Sequence, residues 1–330
     1  MDASLKDLGT DYLDLYLVHW PVAFANPEGK QVPRVLDEKT GKPLEQVELS
    51  RNILPTWKKL EEQGQKGKIR HLGISNFNIR RTQEMLNNSE IKIKPVTNQV
   101  EVNLGVHNDE LLQYSEAVGI KLEAYSPLGS NDNIKQFLDN AVVKQVAKKN
   151  NLTPAQVLLA WPMARGIITL AKSVTPSRIE ENLKAMEIDL PSEDVEARLA
   201  ESRNFYKDGK PFRTVDPYEG WGVKDDIYED GKDQARLADA LASASKPSAR
   251  FGGASAGKRA YHTSAFSGRR SFSTSVNRRA AAELEPPTAE EAPAIGESPL
   301  LRNSARQAAR TPGTKFADGE EGIERETRKM

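Results

Sequence analysis

The stretch LGTDYLDLYLVHWP, residues 8–21, decides the fold expected of this chain. Within it, residues 13–19 form a short apolar run rich in Leu, Tyr and Val, and the run ends in His19. Short apolar runs bounded by polar residues, glycine or proline are typical of buried parallel strands. Further runs of this kind lie at residues 69–75, 96–100, 121–125 and 167–170. The sequence therefore predicts a series of parallel strands.

Helical patterns separate the predicted strands. The clearest covers residues 154–164, where Thr153 stands at the N-cap and a proline follows it, and residues 178–186 begin in the same way. Other helices are predicted at residues 53–63, 80–86, 110–117 and 141–149. Alternating strands and helices indicate an α/β fold with a parallel sheet and right-handed crossovers. We count about five βα units, whereas a closed (β/α)8 barrel has eight.

Composition narrows the classes of protein and of site. The chain has 330 residues, of which 38% are hydrophobic, a share below that of most globular proteins. Its 47 basic and 47 acidic residues give zero formal net charge, which predicts no general attraction to nucleic acid or membrane. The absence of cysteine excludes disulfides, zinc–thiolate sites and cysteine nucleophiles. We expect a small-molecule partner and no metal.

The C-terminal third of the chain differs from the rest. Residues 204–230 are rich in turn-forming and aromatic residues, and we expect them to end the folded domain, residues 1–230, as an ordered loop. Residues 231–330 contain few apolar side chains and are predicted to be a disordered tail, first basic and then acidic. Residues 246–281 are acid-free and resemble a mitochondrial presequence, although such signals act at an N-terminus. A basic tail and a fusion with a neighbouring mitochondrial protein both stay open.

Polar side chains stand at the ends of the predicted strands. His19 ends the first, Ser75 and Asn76 the second, Gln99 the third and Tyr125 the fourth. In a parallel barrel these ends share the face that carries the active site. A histidine there can polarise a carbonyl or relay a proton, amide and hydroxyl groups can bind a flat carboxamide, and a tyrosine can stack on a planar ring. A histidine held by a backbone carbonyl, a helix cap and an ordinary turn are the alternatives.

Residues 172–182 (KSVTPSRIEEN) have the features of an anion site. A strand leads into a loop of Lys, Ser and Thr and then into a helix N-terminus, where free N–H groups and the helix dipole attract anions. Lys172 and Arg178 add two cations that suit a phosphate monoester. This pattern favours NADP(H), with its 2′-phosphate, over NAD(H). The alternative is a capped surface helix with solvated charges.

Five stretches, in this order and spacing, resemble the aldo-keto reductase family, in particular fungal glycerol dehydrogenase-like and xylose reductase-like members. They are LGTDYLDLYLVHWP, GKIRHLGISNF, TNQVEVN, AYSPLGS and AKSVTPSRIEENL. They cover residues 4–200, with a weaker likeness up to residue 230. The resemblance implies a TIM barrel that binds NADPH across its C-terminal face. It also implies an oxidoreductase that reduces an aldehyde, ketone or aldose to an alcohol.

The resemblance gives each matching residue a role. His19 is the catalytic histidine that orients the substrate carbonyl, and Trp20 lies beside it in the substrate pocket. Tyr125 stacks on the nicotinamide. The carboxamide-binding group is Ser75, Asn76 and Gln99; the pyrophosphate loop is Ser126, Leu128 and Ser130; the 2′-phosphate site is Lys172, Ser173, Thr175 and Arg178; the adenine contacts are Glu181 and Asn182.

Four departures from the family pattern bear on activity. Only 18 residues precede His19, so we expect the family's catalytic Asp, Tyr and Lys, and three strands, to lie outside this chain. Residues 170–173 read LAKS instead of Ile-Pro-Lys-Ser, Pro162 interrupts a helical pattern, and residues 102–105 replace a His-Pro loop. Three hypotheses follow: an active reductase, an incomplete product of a wrongly drawn gene, or a nucleotide-binding fragment without catalysis.

Two further expectations concern the setting of the protein. Residues 1–7 lack the basic and apolar regions of a secretory signal, so we expect a cytoplasmic protein. The family resemblance implies a monomer. It also implies that the loops at residues 22–50 and 203–230 shape the substrate pocket.

Overall fold

A parallel sheet of five strands organises the described part of the chain. The computed structural model describes residues 1–26, 35–130, 132–205, 211–224, 227–228 and 233–244. All of them belong to the first of the two units into which the chain divides, Met1–Gly253. The strands are β1 (Leu13–Val18), β2 (Ile69–Ser75), β3 (Thr97–Glu101), β4 (Lys121–Tyr125) and β5 (Ile168–Thr169). Each coincides with a predicted run, so the predicted α/β fold is confirmed.

The strands lie in the sheet in chain order, and each is parallel to its neighbours. At least one helix lies between each strand and the next, as in consecutive units of a TIM barrel. The helices are α1 (Asp2–Leu8), α2 (Val47–Arg51), α3 (Leu54–Gln65), α4 (Ile79–Asn87), α5 (Asp109–Val118), α6 (Asp132–Leu138), α7 (Ala141–Lys149), α8 (Pro154–Ala164), α9 (Pro176–Lys184), α10 (Ser192–Ser202), α11 (Pro217–Trp221) and α12 (Asp233–Ala244). Short 3-10 turns follow α9 at Ala185–Glu187 and α10 at Arg203–Phe205.

Aromatic and aliphatic side chains fill the space between the sheet and the helices. Trp57 of α3 and Trp161 of α8 are completely buried. On β2, a Cβ atom at Gly73 would lie 2.4 Å from Leu17 Cδ2 and 2.8 Å from Thr97 Cγ2. Side chains of the two flanking strands therefore meet over Gly73, and only glycine fits there.

Helix α8 accommodates the proline that the sequence suggested would disturb it. Pro162 lies in the last turn of α8, which ends at Ala164. The carbonyl oxygen of Pro162 accepts hydrogen bonds from the backbone nitrogens of Arg165 and Ile167, both at 3.1 Å. The proline still removes the donor to the carbonyl oxygen of Leu158 and crowds that carbonyl. Because only two helical residues follow Pro162, a kink there displaces little of the helix.

The C-terminal boundary predicted from composition is wrong for one segment. Asp233–Ala244, assigned to the disordered tail, forms α12. Ala240 is buried in the core, and Leu237 packs against the same cluster. The remainder of the predicted tail, including residues 246–281, lies outside the described residues. In the part of the chain that is described, no helix is long and apolar enough to cross a membrane.

Candidate active site

The carboxyl ends of neighbouring strands bring three predicted site residues to one edge of the sheet. The register pairs Val18 with Ile74, so that His19, the next residue, lies level with Ser75. Ser75 in turn pairs with Gln99. The structure thus places His19, Ser75 and Gln99 side by side where β1, β2 and β3 end.

Asn76 links three strand ends through its side-chain amide. It is buried and has a φ of 64°, a left-handed conformation in which asparagine is enriched among non-glycine residues. Its Nδ2 donates to the carbonyl oxygen of His19 at 3.0 Å and to the hydroxyl of Ser75 at 3.1 Å. Its Oδ1 accepts from the Tyr125 hydroxyl at 2.9 Å. The amide is therefore occupied by partners within the protein.

Ser75 and Gln99 also have partners within the protein. The Ser75 hydroxyl donates to the carbonyl oxygen of Gln99 at 2.7 Å, and Gln99 Nε2 donates to Glu123 Oε2 at 2.9 Å. The residues predicted to bind a carboxamide thus belong to one hydrogen-bonded layer across β2, β3 and β4. A carboxamide that binds there must exchange with at least one of these partners.

Tyr125 ends β4 with a half-buried ring. Burial raises the pKa of its phenol, and the nearby carboxyl of Glu101 raises it further. The hydroxyl therefore stays protonated near neutral pH and remains the donor to Asn76.

The loop after Tyr125, residues 126–130, is here called the β4 loop. Ser126 has a φ of 50° and Gly129 a φ of 80°, so two of its residues are left-handed. A non-glycine residue in this conformation is uncommon and needs support from its surroundings. The predicted pyrophosphate residues, Ser126, Leu128 and Ser130, are all half-buried in this loop.

Aromatic side chains form a wall next to His19. His19 is exposed, and the centroid of its ring lies 6.2 Å from that of Trp20. Trp20 meets Trp221 edge-on at 4.9 Å and Tyr228 at 6.3 Å. Trp221 and Tyr228, two described residues of the predicted loop at residues 203–230, thus contact Trp20, the neighbour of the histidine. This wall suits the apolar part of a small ligand.

The predicted phosphate site lies at the start of α9. Thr175 is the N-cap, Pro176 follows it, and the Ser173 hydroxyl accepts from the backbone nitrogen of Thr175 at 3.1 Å. Lys172 and Arg178 are exposed, and neither has a hydrogen-bond or ion-pair partner among the described residues. Two cations thus flank the exposed N-terminus of a nine-residue helix.

The predicted adenine contacts, Glu181 and Asn182, are half-buried farther along α9. Glu181 Oε1 accepts from the hydroxyl of Thr153, the N-cap of α8, at 2.5 Å. Ile179 and Leu183 are 51% and 65% exposed, and α9 buries none of its own residues. Contacts such as the one with Thr153, rather than a buried face, hold α9 in place.

Comparison with known proteins identifies the family. A model of the Aldo/keto reductase family matches residues 1–200. The chain belongs to this family. It is 36% identical over 227 residues to rho crystallin of Rana temporaria, covering 65% of this chain and 66% of that protein. It is 39% identical over 200 residues to glycerol 2-dehydrogenase (NADP(+)) of Saccharomyces cerevisiae, covering 60% and 62%.

Solved aldo/keto reductase structures agree with the fold. The aldose reductase of Schistosoma japonicum matches with a TM-score of 0.57 and 32% sequence identity, covering 68% of this chain and 67% of that one. The resemblance, and the TIM-barrel fold class that it implies, are therefore confirmed. The chain spans 66% of the length of the frog protein and 62% of that of the yeast enzyme. Within its described residues, no group of three His, Cys, Asp or Glu side chains could hold a metal ion.

One buried carboxylate of this chain was not among the predicted site residues. Glu101 ends β3 with 1% of its surface exposed, and both carboxylate oxygens accept from the backbone nitrogen of Thr214, at 2.9 and 3.1 Å. Burial raises the pKa of Glu101, although the bonds from Thr214 and the charge of Arg213 oppose that rise. An ionisable residue at the end of a buried strand was the available signal in the sequence.

The helix cap of α4 holds the C-terminal loop of this chain. Asn78 caps α4, and its Nδ2 donates to the carbonyl oxygen of Ile227 at 3.0 Å. The Tyr218 hydroxyl accepts from the backbone nitrogens of Ile227 and Tyr228, and the Tyr228 hydroxyl donates to the carbonyl oxygen of Val215 at 3.0 Å. These bonds hold Tyr228 beside Trp20.

Proposed function

We propose that this protein is an NADPH-dependent oxidoreductase that reduces a carbonyl group, in an aldehyde, ketone or aldose, to an alcohol. The observation that carries the proposal is the juxtaposition of His19, Ser75, Asn76 and Gln99 with the Tyr125 ring at one edge of the sheet. Family membership supports this reading, since relatives carry the names glycerol 2-dehydrogenase (NADP(+)) and aldose reductase.

The residues at the start of α9 fit the 2′-phosphate of NADPH. Lys172 and Arg178 are exposed and uncommitted within the described part of the chain, and they flank a helix N-terminus. Two cations with free backbone N–H groups suit a dianionic phosphate monoester. The hydroxyls of Ser173 and Thr175 add donors there. We assign adenine contacts to Glu181 and Asn182 and the pyrophosphate to Ser126, Leu128 and Ser130 of the β4 loop.

The nicotinamide end is assigned to the strand ends. When bound, NADPH supplies a hydride to the carbonyl carbon. Tyr125 offers the ring on which the nicotinamide stacks, and Ser75, Asn76 and Gln99 offer the polar groups for its carboxamide. Because these groups are bonded to one another, the carboxamide takes the place of an internal partner such as the Tyr125 hydroxyl.

His19 and Trp20 are assigned to the substrate. The exposed imidazole of His19 can hydrogen-bond a carbonyl oxygen, which polarises the carbonyl and orients it. The same imidazole can relay a proton from solvent to that oxygen, which completes the alcohol after the hydride has reached the carbon. Trp20, backed by Trp221, covers one side of the substrate and keeps water away from the reacting carbon. The backbone of His19 is fixed by Asn76, so the same amide ties the substrate histidine to the proposed carboxamide group.

Binding and turnover by the full chain test the proposal separately. NADPH and NADH are titrated by quenching of tryptophan fluorescence, and NADPH oxidation is followed with glyceraldehyde as substrate. We expect tighter binding of NADPH than of NADH, with turnover that falls in His19→Ala. Binding without turnover favours the second candidate, a nucleotide-binding protein without catalysis. The observation behind this candidate is that internal partners occupy the Asn76 amide, which hinders placement of the nicotinamide but not of the phosphates. No binding of NADPH contradicts both.

We also propose that the protein acts as a monomer in the cytoplasm. Membership of the aldo/keto reductase family supports this proposal, since the resemblance implies a monomer. Light scattering of the purified chain and imaging of a tagged copy test the two parts. A stable dimer, or import into mitochondria, would contradict them.

A further inference from the structure

Residues 102–106, here called the docking loop, receive the C-terminal segment at residues 211–216. The carbonyl oxygen of Gly105 accepts from the backbone nitrogen of Phe212 at 3.0 Å. A Cβ atom at Gly105 would lie 2.7 Å from the carbonyl oxygen of Phe212. The two backbones can approach this closely only because residue 105 is glycine. The docking loop is also the place where the sequence departs from the His-Pro loop of the family.

Glu101 and Asn103 connect the docking loop to the β4 loop. Both are buried, and Asn103 Nδ2 donates to Glu101 Oε1 at 2.8 Å and to the carbonyl oxygen of Ser126 at 3.2 Å. Asn103 Oδ1 accepts from the backbone nitrogen of Gly105 at 2.8 Å. Since Glu101 also holds the backbone of Thr214, one buried amide touches the anchor of the C-terminal segment, the docking loop and the β4 loop.

We propose that Asn103 is a positioning residue that couples the C-terminal segment to the β4 loop, so that docking of residues 211–216 and binding of NADPH favour each other. The inference rests on the proposed function, which places the pyrophosphate at the β4 loop. Ser126 keeps its φ of 50° only while its surroundings hold it, and the bond from Asn103 to its carbonyl oxygen is part of that support. Coupling between two sites is reciprocal, so NADPH must in turn order residues 211–216.

Gly105→Ala tests the contact between the docking loop and residues 211–216, and Gly220→Ala is its matched control. Gly105 has no positive φ, so alanine there pushes against Phe212 without straining its own backbone. A Cβ atom at Gly220, in α11 just after that segment, meets nothing within 4 Å. In the full chain, we expect Gly105→Ala to raise the Kd for NADPH by about fivefold or more. Gly220→Ala keeps the wild-type Kd. Amide hydrogen exchange at residues 211–216 becomes faster in Gly105→Ala alone.

Asn103→Asp tests the link itself. The aspartate keeps an acceptor for the backbone nitrogen of Gly105. Even when it shares a proton with Glu101 it has at most one O–H, so it cannot donate to both Glu101 and Ser126 as the two N–H groups of Asn103 do. We expect NADPH to slow exchange at residues 211–216 in the wild type and to have no such effect in Asn103→Asp. A merely structural role would lower Tm without abolishing this NADPH effect.

The outcomes separate the two proposals. If Gly105→Ala fails to fold, Asn103→Asp decides alone, and its melting curve shows whether it is folded. Folded variants that bind NADPH as tightly as the wild type, or an NADPH effect on exchange that survives in Asn103→Asp, overturn the coupling. A wild-type chain that binds no NADPH contradicts the proposed function instead.

Discussion

The hydroxyl of Tyr125 donates to Oδ1 of Asn76 at 2.9 Å, so the aromatic ring that ends β4 is fastened to the amide that follows β2. The same amide holds the backbone of His19. Tyr125, on which the nicotinamide is proposed to stack, Asn76 of the proposed carboxamide site and the substrate histidine His19 therefore form one hydrogen-bonded unit. A substitution at one of these residues should alter the positions of the other two.

Tyr125→Phe tests whether this unit exchanges a partner when NADPH binds. The variant keeps the ring but leaves the buried Oδ1 of Asn76 without its donor, which costs about 1–3 kcal/mol. We expect a lower Tm without ligand. Saturating NADPH should raise the Tm by more than in the wild type, because a carboxamide N–H can then bond the freed oxygen.

Tyr114→Phe is the control for this substitution. Tyr114 is buried, and its hydroxyl has no hydrogen-bond partner among the described residues. We expect the NADPH-induced rise in Tm to equal that of the wild type. An equal or smaller rise in Tyr125→Phe would contradict the exchange of partners.

The cations at the start of α9 should decide between NADPH and NADH. We expect Lys172→Ala and Arg178→Ala each to weaken NADPH binding about tenfold, since each removes a charged donor from the phosphate. Binding of NADH, which has no 2′-phosphate, should stay the same. Lys184→Ala, at the other end of α9, is the control, and titrations of both nucleotides provide the measurement. Equal losses for NADPH and NADH would mean that the phosphate lies elsewhere.

Arg198 should be replaceable with a gain in stability. Its guanidinium is completely buried over the Trp161 ring, and its nitrogens have no hydrogen-bond partner among the described residues. Burial lowers the pKa of Arg198 to about 9, so it is still charged at pH 7. An apolar replacement for a buried charge gains about 1–4 kcal/mol, and we expect Arg198→Leu to raise the free energy of unfolding by that order.

Arg165 is the control for Arg198, because it is an arginine over the same ring that does have polar partners. It also lies over Trp161, but it forms an ion pair with Asp109 and donates to the carbonyl oxygen of His107 at 3.1 Å. Arg165→Leu should therefore lower the free energy of unfolding in the same denaturant titration. If Arg198→Leu destabilises the protein as much as Arg165→Leu does, Arg198 has a partner that offsets its burial.

Glu101 should make stability depend on pH. Its pKa in the folded protein is raised above the ordinary value of 4.5, so between these two values the folded state binds more protons than the unfolded state. The contribution of Glu101 to stability therefore increases as pH falls from 7 towards 4.5. The difference in unfolding free energy between wild type and Glu101→Gln should shift in favour of the wild type in that direction. A shift in favour of Glu101→Gln would contradict the raised pKa.

The parts of the fold that depend on local pattern could be predicted from the sequence. The run at residues 13–19 has the length and apolar character of a buried strand, and the Thr153 cap with its following proline set the start of α8. Because parallel strands share one carboxyl edge, the grouping of His19, Ser75 and Gln99 also followed from these runs.

The parts that depend on distant contacts could not be predicted. Glu101 and Thr214 are 113 positions apart, and the sequence around either residue gives no pattern that predicts their hydrogen bond. Helix α12 was missed because averaging over a polar tail conceals the helical spacing of Leu237, Ala240 and Leu241. The positive φ of Asn76 depends on tertiary partners that only the folded chain supplies.

Transfer of deuterium from NADPH tests the proposed function most directly. The full chain is incubated with glyceraldehyde and NADPH deuterated at C4 of the nicotinamide, and the alcohol product is examined by mass spectrometry. Carbonyl reduction at this site predicts glycerol that carries one deuterium, formed faster than in His19→Ala and faster with NADPH than with NADH. A folded chain that binds NADPH but yields no labelled glycerol above a protein-free control would contradict it.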